Sequence, residues 1–261
     1  MKAPDPDVSV FSSVFPASSL AFRCDRGFVR ERNEDALLCL PERGLFAVSD
    51  GIGGADAGDA ASAMIADTLR KTFLDLPPSA SFETRKTALM DAVLRASKSI
   101  VRYRKQHFYH AMGATVTAYI ADPEAPAHGF ICHSGDSRLY RYSGSSLFRL
   151  TSDHTLAADF RRQHPDDPPL PDHLSHILTR AVGMEDSLPP DAVEFSLKTH
   201  DQLLLCSDGL YSMADDERIS QVMKSSETAE DVAAALESLV QDAGAVDNYT
   251  LLCLRPELHG Q

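Results

Sequence analysis

Carboxylates recur in this sequence where apolar runs begin or end. Asp50 closes "GLFAVSD" and is followed by glycines at 51, 53, 54 and 58. Asp136 follows "ICHSG", Asp208 follows "LLLCS", and Asp247 stands directly before "NYTLLCL". Glu34 and Asp35 sit at the mouth of "ALLCL". A single aspartate of this kind reads as a turn residue or a helix cap. Several at the ends of neighbouring strands would converge, and their repulsion would cost several kcal/mol unless cations offset it. Hard cations such as Mg²⁺ or Mn²⁺ take oxygen ligands and keep several waters. Glycine beside such a ligand lets main chain approach, so the Gly51 carbonyl is also a candidate ligand. Two competing chemistries fit less well. The glycines lack the Lys-Ser/Thr ending of a phosphate-binding P-loop. A zinc site from His164, His173 and His176 would have neither an HExxH pattern nor a cysteine partner.

Bulk properties limit the alternatives. The 261 residues carry a formal charge of −13, with 43% hydrophobic and 24% charged residues. That is ordinary globular composition, and the acidity argues against nucleic acid, whose phosphates need a basic surface. No apolar run reaches membrane-spanning length and no signal-peptide pattern opens the chain, so a cytoplasmic protein is expected. Cys24, Cys39, Cys132, Cys206 and Cys253 are odd in number and widely spaced, each in an apolar run. They are expected to be reduced core residues.

The elements that must position the carboxylates come in blocks. Residues 1–17 are rich in Pro, Ser and Asp and read as a flexible tail before one domain over 18–256. Strand-like runs "SLAFRC", "ALLCL" and "GLFAVSD" lead to two helices. The first carries Ala61, Ile65 and Leu69; the second carries Leu89, Val93, Ala96, Ile100 and Tyr103 at helical spacing. The opposite face of the second, with Arg95, Lys98, Arg102 and Lys105, reads as a solvated surface. Strands follow in "GATVTAYIA", "AHGFICHSGD", "SRLYRYS" and "SLFRLT", the last two joined through Gly144. An irregular excursion over about 155–178 contains the Pro-rich "HPDDPPLPDH". After "AVEFSLKT" and "DQLLLCSDG" comes a helix opened by Thr228 with Asp231 three residues on, then the closing strand "YTLLCLR". Blocks instead of strict alternation predict an α+β fold: two mainly antiparallel sheets packed as a sandwich, flanked by helix pairs.

The ordered series "RGFVRERNED", "VSDGIGG", "MGATVTAYI", "HSGDSRLYR", "LTSDHT", "LTRAVG", "LLLCSDGL" and "DNYTLL" resembles the metal-dependent serine/threonine protein phosphatases (PPM family, type 2C). The likeness is to their compact bacterial members and runs from about Leu20 to Leu254. It implies a binuclear Mn²⁺ or Mg²⁺ centre at one edge of the sandwich, where a water bridging the metals attacks phosphorus. By motif, Asp50 would bridge the two metals with the Gly51 carbonyl on one of them. Asp208 and Asp247 would hold the other, and Glu34 and Asp35 would contribute directly or through waters. Asp136 matches the residue of a third, weaker metal, Arg30 the arginine that grips the substrate phosphate, and Asn248 an orienting residue. Two adjacent metals suit a slow phosphate monoester, since they clamp the attacking and leaving oxygens. Guanidinium suits phosphate through its paired hydrogen bonds.

The sequence departs from the family at three places. Ile52 stands where animal members have a histidine proposed as general acid, and Ala55 replaces another histidine; a metal-bound water is then a candidate proton donor, and His154 is weighed as another but reads as structural. The excursion at 155–178 corresponds to a flap beside the active site, and its composition is unusual. Three functions remain open: a phosphoserine/phosphothreonine protein phosphatase opposing a bacterial kinase, a catalytically silent metal-binding module that recognises phosphorylated partners, and a phosphatase of small phosphorylated metabolites. The retention of Asp50, Asp208, Asp247 and Arg30 favours an enzyme over the silent module.

Overall fold

The computed structural model of the chain describes residues 17–53, 57–184, 189–256 and 258. In chain order the strands are β1 (Ala17–Asp25), β2 (Asp35–Leu40), β3 (Leu45–Ile52), β4 (Gly113–Ala114), β5 (Val116–Ala121) and β6 (His128–Ser134). They continue with β7 (Arg138–Ser143), β8 (Ser146–Arg149), β9 (Asp191–Ser196), β10 (Gln202–Cys206) and β11 (Tyr249–Pro256). The helices are α1 (Gly58–Asp75), α2 (Phe82–Gln106), α3 (Leu156–Gln163), α4 (Asp172–Ser175), α5 (Asp208–Tyr211), α6 (Asp216–Ser225) and α7 (Ala229–Asp242).

One sheet runs β1-β11-β10-β7-β8 and the other β2-β3-β5-β6-β9, with β4 paired to β3. Neighbouring strands are antiparallel throughout. The continuous apolar runs, which lack simple alternation, are explained by burial on both faces. Leu203, Leu205, Leu252 and Leu254 turn inward and meet Phe46, Val48, Tyr119 and Ile131 between the sheets. Their alternates Leu204, Cys206, Leu251 and Cys253 turn outward under α6 and α7, against Ile219, Met223, Leu236 and Val240. On the other side, Ile65, Leu69 and Phe73 of α1 and Leu89, Val93 and Ile100 of α2 cover Ala118, Ile120 and Cys132. The period of two in a strand thus divides each run between two cores, and the layers stack helix, sheet, sheet, helix.

Local signals account for the ends of elements. Thr228 and Asp231 form the expected capping box at the start of α7. The β7–β8 hairpin turns through Gly144 (φ 56°) and Ser145 (φ 72°), the left-handed pair of a two-residue primed turn.

The structure corrects four expectations. β1 begins at Ala17, one residue inside the expected tail, whose residues 1–16 lie outside the described residues. Cys132, Cys206 and Cys253 are buried, but Cys24 is exposed near the end of edge strand β1; all five thiols are free. The stretch between "LCSDG" and Thr228 is helical, with α5 and then α6, whose N-cap Asp215 accepts from the Arg218 amide. The excursion at 155–178 is not wholly irregular: it contains α3, capped by Thr155, and the single turn α4. α3 buries none of its residues, and its apolar stripe is only Leu156 and Phe160, too short ahead of the Pro-rich run to announce a helix by periodicity. No helix among the described residues is long and apolar enough to cross a membrane.

Candidate active site

Antiparallel pairing explains why the carboxylates meet. The end of one strand lies beside the start of its neighbour, so Asp50 near the end of β3 pairs across from Asp35 at the start of β2. β10 likewise ends where β11 begins, joining Asp208 to Asp247. Asp136 lies in the turn between β6 and β7. All these ends reach one edge of the sandwich, where a cavity of about 170 Å³ opens.

Arg30, Glu34, Asp50 and Gly51 reach its wall from the first quarter of the chain, and Asp136 from the middle. Asp208, Asp247 and Asn248 reach it from the C-terminal part. Ile52, His176 and Leu178 complete the lining. Asp35 is not in the wall but behind it, 9% exposed. Its Oδ2 accepts a hydrogen bond from Ser207 Oγ at 2.7 Å, and its Oδ1 has no hydrogen-bond partner. Gly54 and Ala55 lie outside the described residues.

Several side chains not singled out in the sequence hold this arrangement. Thr115 Oγ1 accepts from the Asp50 amide at 2.9 Å, and the Thr115 amide donates to the Asp50 carbonyl at 2.8 Å. Ser207 Oγ, which donates to Asp35, also accepts from the Thr250 amide at 2.9 Å. Tyr211, at the end of α5, donates to the Asp136 carbonyl at 3.1 Å, tying that turn to the helix that starts with Asp208. Asn248 behaves as an orienting residue: its Oδ1 accepts from the Glu34 amide (2.8 Å) and its Nδ2 donates to the carbonyls of Arg26 (2.9 Å) and Arg32 (2.8 Å). The hydroxyls of Thr115, Ser207 and Tyr211 carry no local signature in the sequence. His154 is structural: Nδ1 accepts from the Gly135 amide at 3.0 Å and Nε2 faces Asp191 Oδ2 at 3.1 Å.

The electrostatics of the cavity are those of crowded anions. Burial pushes Asp50 well above the usual carboxylate range, and the charges of Asp35, Asp208 and Asp136 push further. Burial and the charges of Asp208 and Asp153 bring Asp136 to about 7. Burial also takes Asp35 to about 7, against hydrogen bonds that favour its ionised form. Asp208 is raised by burial and Asp247, Glu34 by burial. The hydrogen bond from Arg30 to Asp247, at 2.7 Å, raises the guanidinium pKa further.

Among the described residues no three His, Cys, Asp or Glu side chains close around one point in metal-holding geometry. The donor set nevertheless fits oxygen-loving cations that keep most of their waters, since these need only one or two carboxylates each. Clustered carboxylates driven toward protonation, with an orphaned buried oxygen on Asp35, are the state that divalent charge relieves. Gly51 keeps main chain close: a Cβ there would fall 2.3 Å from the Gly58 carbonyl oxygen and 2.7 Å from that of Glu34.

Residues 29–242 match the protein phosphatase 2C family. The chain belongs to that family. This 2C-type phosphatase is 31% identical over 245 residues to the serine/threonine phosphatase Stp of Listeria monocytogenes, covering 91% of this chain and 95% of that one. Among solved structures it is similar to PppA, described as a key regulatory component of T6SS in Pseudomonas aeruginosa. The TM-score is 0.81 at 32% identity, over 92% of this chain and 99% of that one. It is also similar to the catalytic domain of the serine/threonine phosphatase PstP in complex with two manganese ions, with a TM-score of 0.76 at 28% identity, over 91% and 97%. The family, the sandwich fold and the enzyme class implied by the motifs are thereby met.

Proposed function

We propose that this phosphatase hydrolyses phosphoserine and phosphothreonine in proteins, in the cytoplasm, at a centre holding two Mn²⁺ or Mg²⁺ ions. Its protein substrates would be targets of a serine/threonine kinase, with the kinase itself among them. Asp50 and the Gly51 carbonyl, Asp208 and Asp247 would hold the pair, with Glu34 and Asp35 contributing directly or through water. Asp136 would serve a third, weaker ion. When bound, such ions supply Lewis acidity toward the phosphoryl oxygens and the attacking water.

The chain's own groups do the rest. Arg30 offers paired N–H donors to the phosphate from the cavity wall, where Asp247 already orients its guanidinium. Asn248 fixes the Glu34 segment by its three hydrogen bonds. Ile52 and Leu178 give the cavity its apolar wall. The observation that carries the proposal is the convergence, at one cavity, of a single arginine with carboxylates drawn from both sheets.

The deciding experiment follows hydrolysis of p-nitrophenyl phosphate and a phosphothreonine peptide after chelation, then with Mn²⁺ or Mg²⁺ restored. Activity that returns with metal and is absent in Asp208→Asn supports the proposal. Silence with metal bound points to a regulatory module, and turnover of free phosphorylated metabolites without the peptide points to a small-molecule phosphatase.

A further inference from the structure

When a serine or threonine phosphate is cleaved, the leaving alkoxide is poorly stabilised and needs a proton as the P–O bond breaks. Apart from water on the cations, few groups on the cavity wall can give one. Arg30 does not release its proton in proteins. Asn248 is fully engaged with Glu34, Arg26 and Arg32. Ile52 and Leu178 carry no exchangeable proton, and the carboxylates are assigned to cations.

The buried histidines nearby are committed elsewhere. His133 is held between Thr117 Oγ1 at 2.9 Å and the Ser152 carbonyl at 3.0 Å. His154 uses both nitrogens on Gly135 and Asp191. His176 is different. It is exposed, it lines the cavity, and among the described residues its ring makes no hydrogen bond or ion pair. It is near enough to Asp208 to act on that carboxyl electrostatically.

Its position is set by main chain. The flap closes at its base where Thr155 pairs with Leu178. The Leu156 amide donates to the Ile177 carbonyl at 2.8 Å, and the Thr179 amide to the His154 carbonyl at 2.9 Å. His176 therefore stands one residue from a locked pair of chain segments.

We propose that His176 is the catalytic proton donor to the leaving oxygen of phosphoserine and phosphothreonine, an assignment that rests on the phosphatase activity proposed above. The P–Oγ bond breaks with its electron pair going to Oγ, which takes the ring N–H proton. Water supplies the oxygen that completes the phosphate, and the proton that water gives up passes to solvent, from which the imidazole is recharged.

The test compares wild type, His176→Ala and His176→Gln on a phosphothreonine peptide and on p-nitrophenyl phosphate, whose phenolate leaves without help. General acids contribute about 10²–10⁴-fold, so kcat on the peptide is expected to fall by about 10² more than kcat on the aryl ester. Added imidazole should restore part of the peptide activity in His176→Ala. Equal losses on both substrates, or an unchanged peptide rate, would overturn the assignment while leaving the phosphatase intact. A wild type inactive on both substrates with metal bound would sink the assignment together with the activity it rests on. Melting curves of both variants, expected to match wild type, exclude a folding defect as the cause of any loss.

Discussion

Arg30 Nη2 lies 2.7 Å from Asp247 Oδ2, although 217 positions separate the two residues. The side chain assigned to the substrate phosphate thus rests on a carboxylate assigned to a metal. Both partners are partly exposed, at 53% and 31% of their side chains, so the pair is worth no more than about 1 kcal/mol. A phosphate can therefore draw the guanidinium away at little cost.

The first prediction follows from that pair. Arg30→Ala should raise KM for p-nitrophenyl phosphate about tenfold, the loss of one charge-assisted contact, with a smaller change in kcat. Arg30→Lys should fall between, because a point charge replaces a planar fork. Steady-state kinetics decide it. An unchanged KM would return Arg30 to the status of a surface ion pair.

Asp50→Asn should cut kcat by about 10³-fold or more, since several kcal/mol of transition-state stabilisation depend on a charged ligand at this position. The metal-free protein should not lose stability. The folded state disfavours the Asp50 carboxylate, because burial and three neighbouring charges raise its pKa, so removing the charge relieves repulsion. Calorimetry with and without Mn²⁺ should show the metal-dependent rise in Tm shrinking in the variant. An undiminished rise would remove Asp50 from the ligand set.

Burial lowers His133 from 6.5 to about 4, with the nearby His154 adding to the effect against opposing contributions from Ser152, Asp191 and Asp153. The unfolded chain then binds a proton that the folded chain refuses. Stability from this neutral histidine is present above about pH 6.5 and is lost as pH falls toward 4, amounting to about 3 kcal/mol. His133→Gln should abolish that portion of the pH slope. Urea unfolding of both proteins at pH 7 and pH 5 measures it: the stability gap between them should be larger at pH 7.

Gly209 packs under the main chain of Asn248. A Cβ there would fall 1.9 Å from the Asn248 carbonyl oxygen, which cannot yield as a flexible side chain would. Gly209→Ala should destabilise by about 3 kcal/mol or more and weaken metal binding by displacing the Asp247–Asn248 segment. Gly144→Ala is the control. Nothing lies within 4 Å of its Cβ position, so only the strain of φ 56° remains, about 1 kcal/mol. Denaturation midpoints and Mn²⁺ titration separate the two.

Much of this was legible without coordinates because it depends on local chemistry. The apolar runs set the strands, Thr228 and Asp231 set the start of α7, and the aspartates at strand ends set the candidate metal ligands. α6 was legible in principle, since Asp215 caps it and Ile219 and Met223 are spaced four apart on its buried face. α3 was not, because its eight residues carry only Leu156 and Phe160 as a stripe and bury neither.

The sequence by itself determined which side chains have the chemistry: oxygen donors at strand ends, one arginine among them, and glycines where main chain must come close. Tertiary structure alone decided which of them share a wall. Antiparallel register brings Asp50, Asp136, Asp208 and Asp247 to one edge, yet it sets Asp35 behind the cavity with one unpartnered oxygen. It also decided that His154 is bound into the sheet edge while His176, the residue that ends α4, turns to the cavity. The physical reason is that strand character depends on neighbours along the chain. A cavity wall depends on how the 155–178 segment, paired at its base, and two packed sheets bring distant segments together.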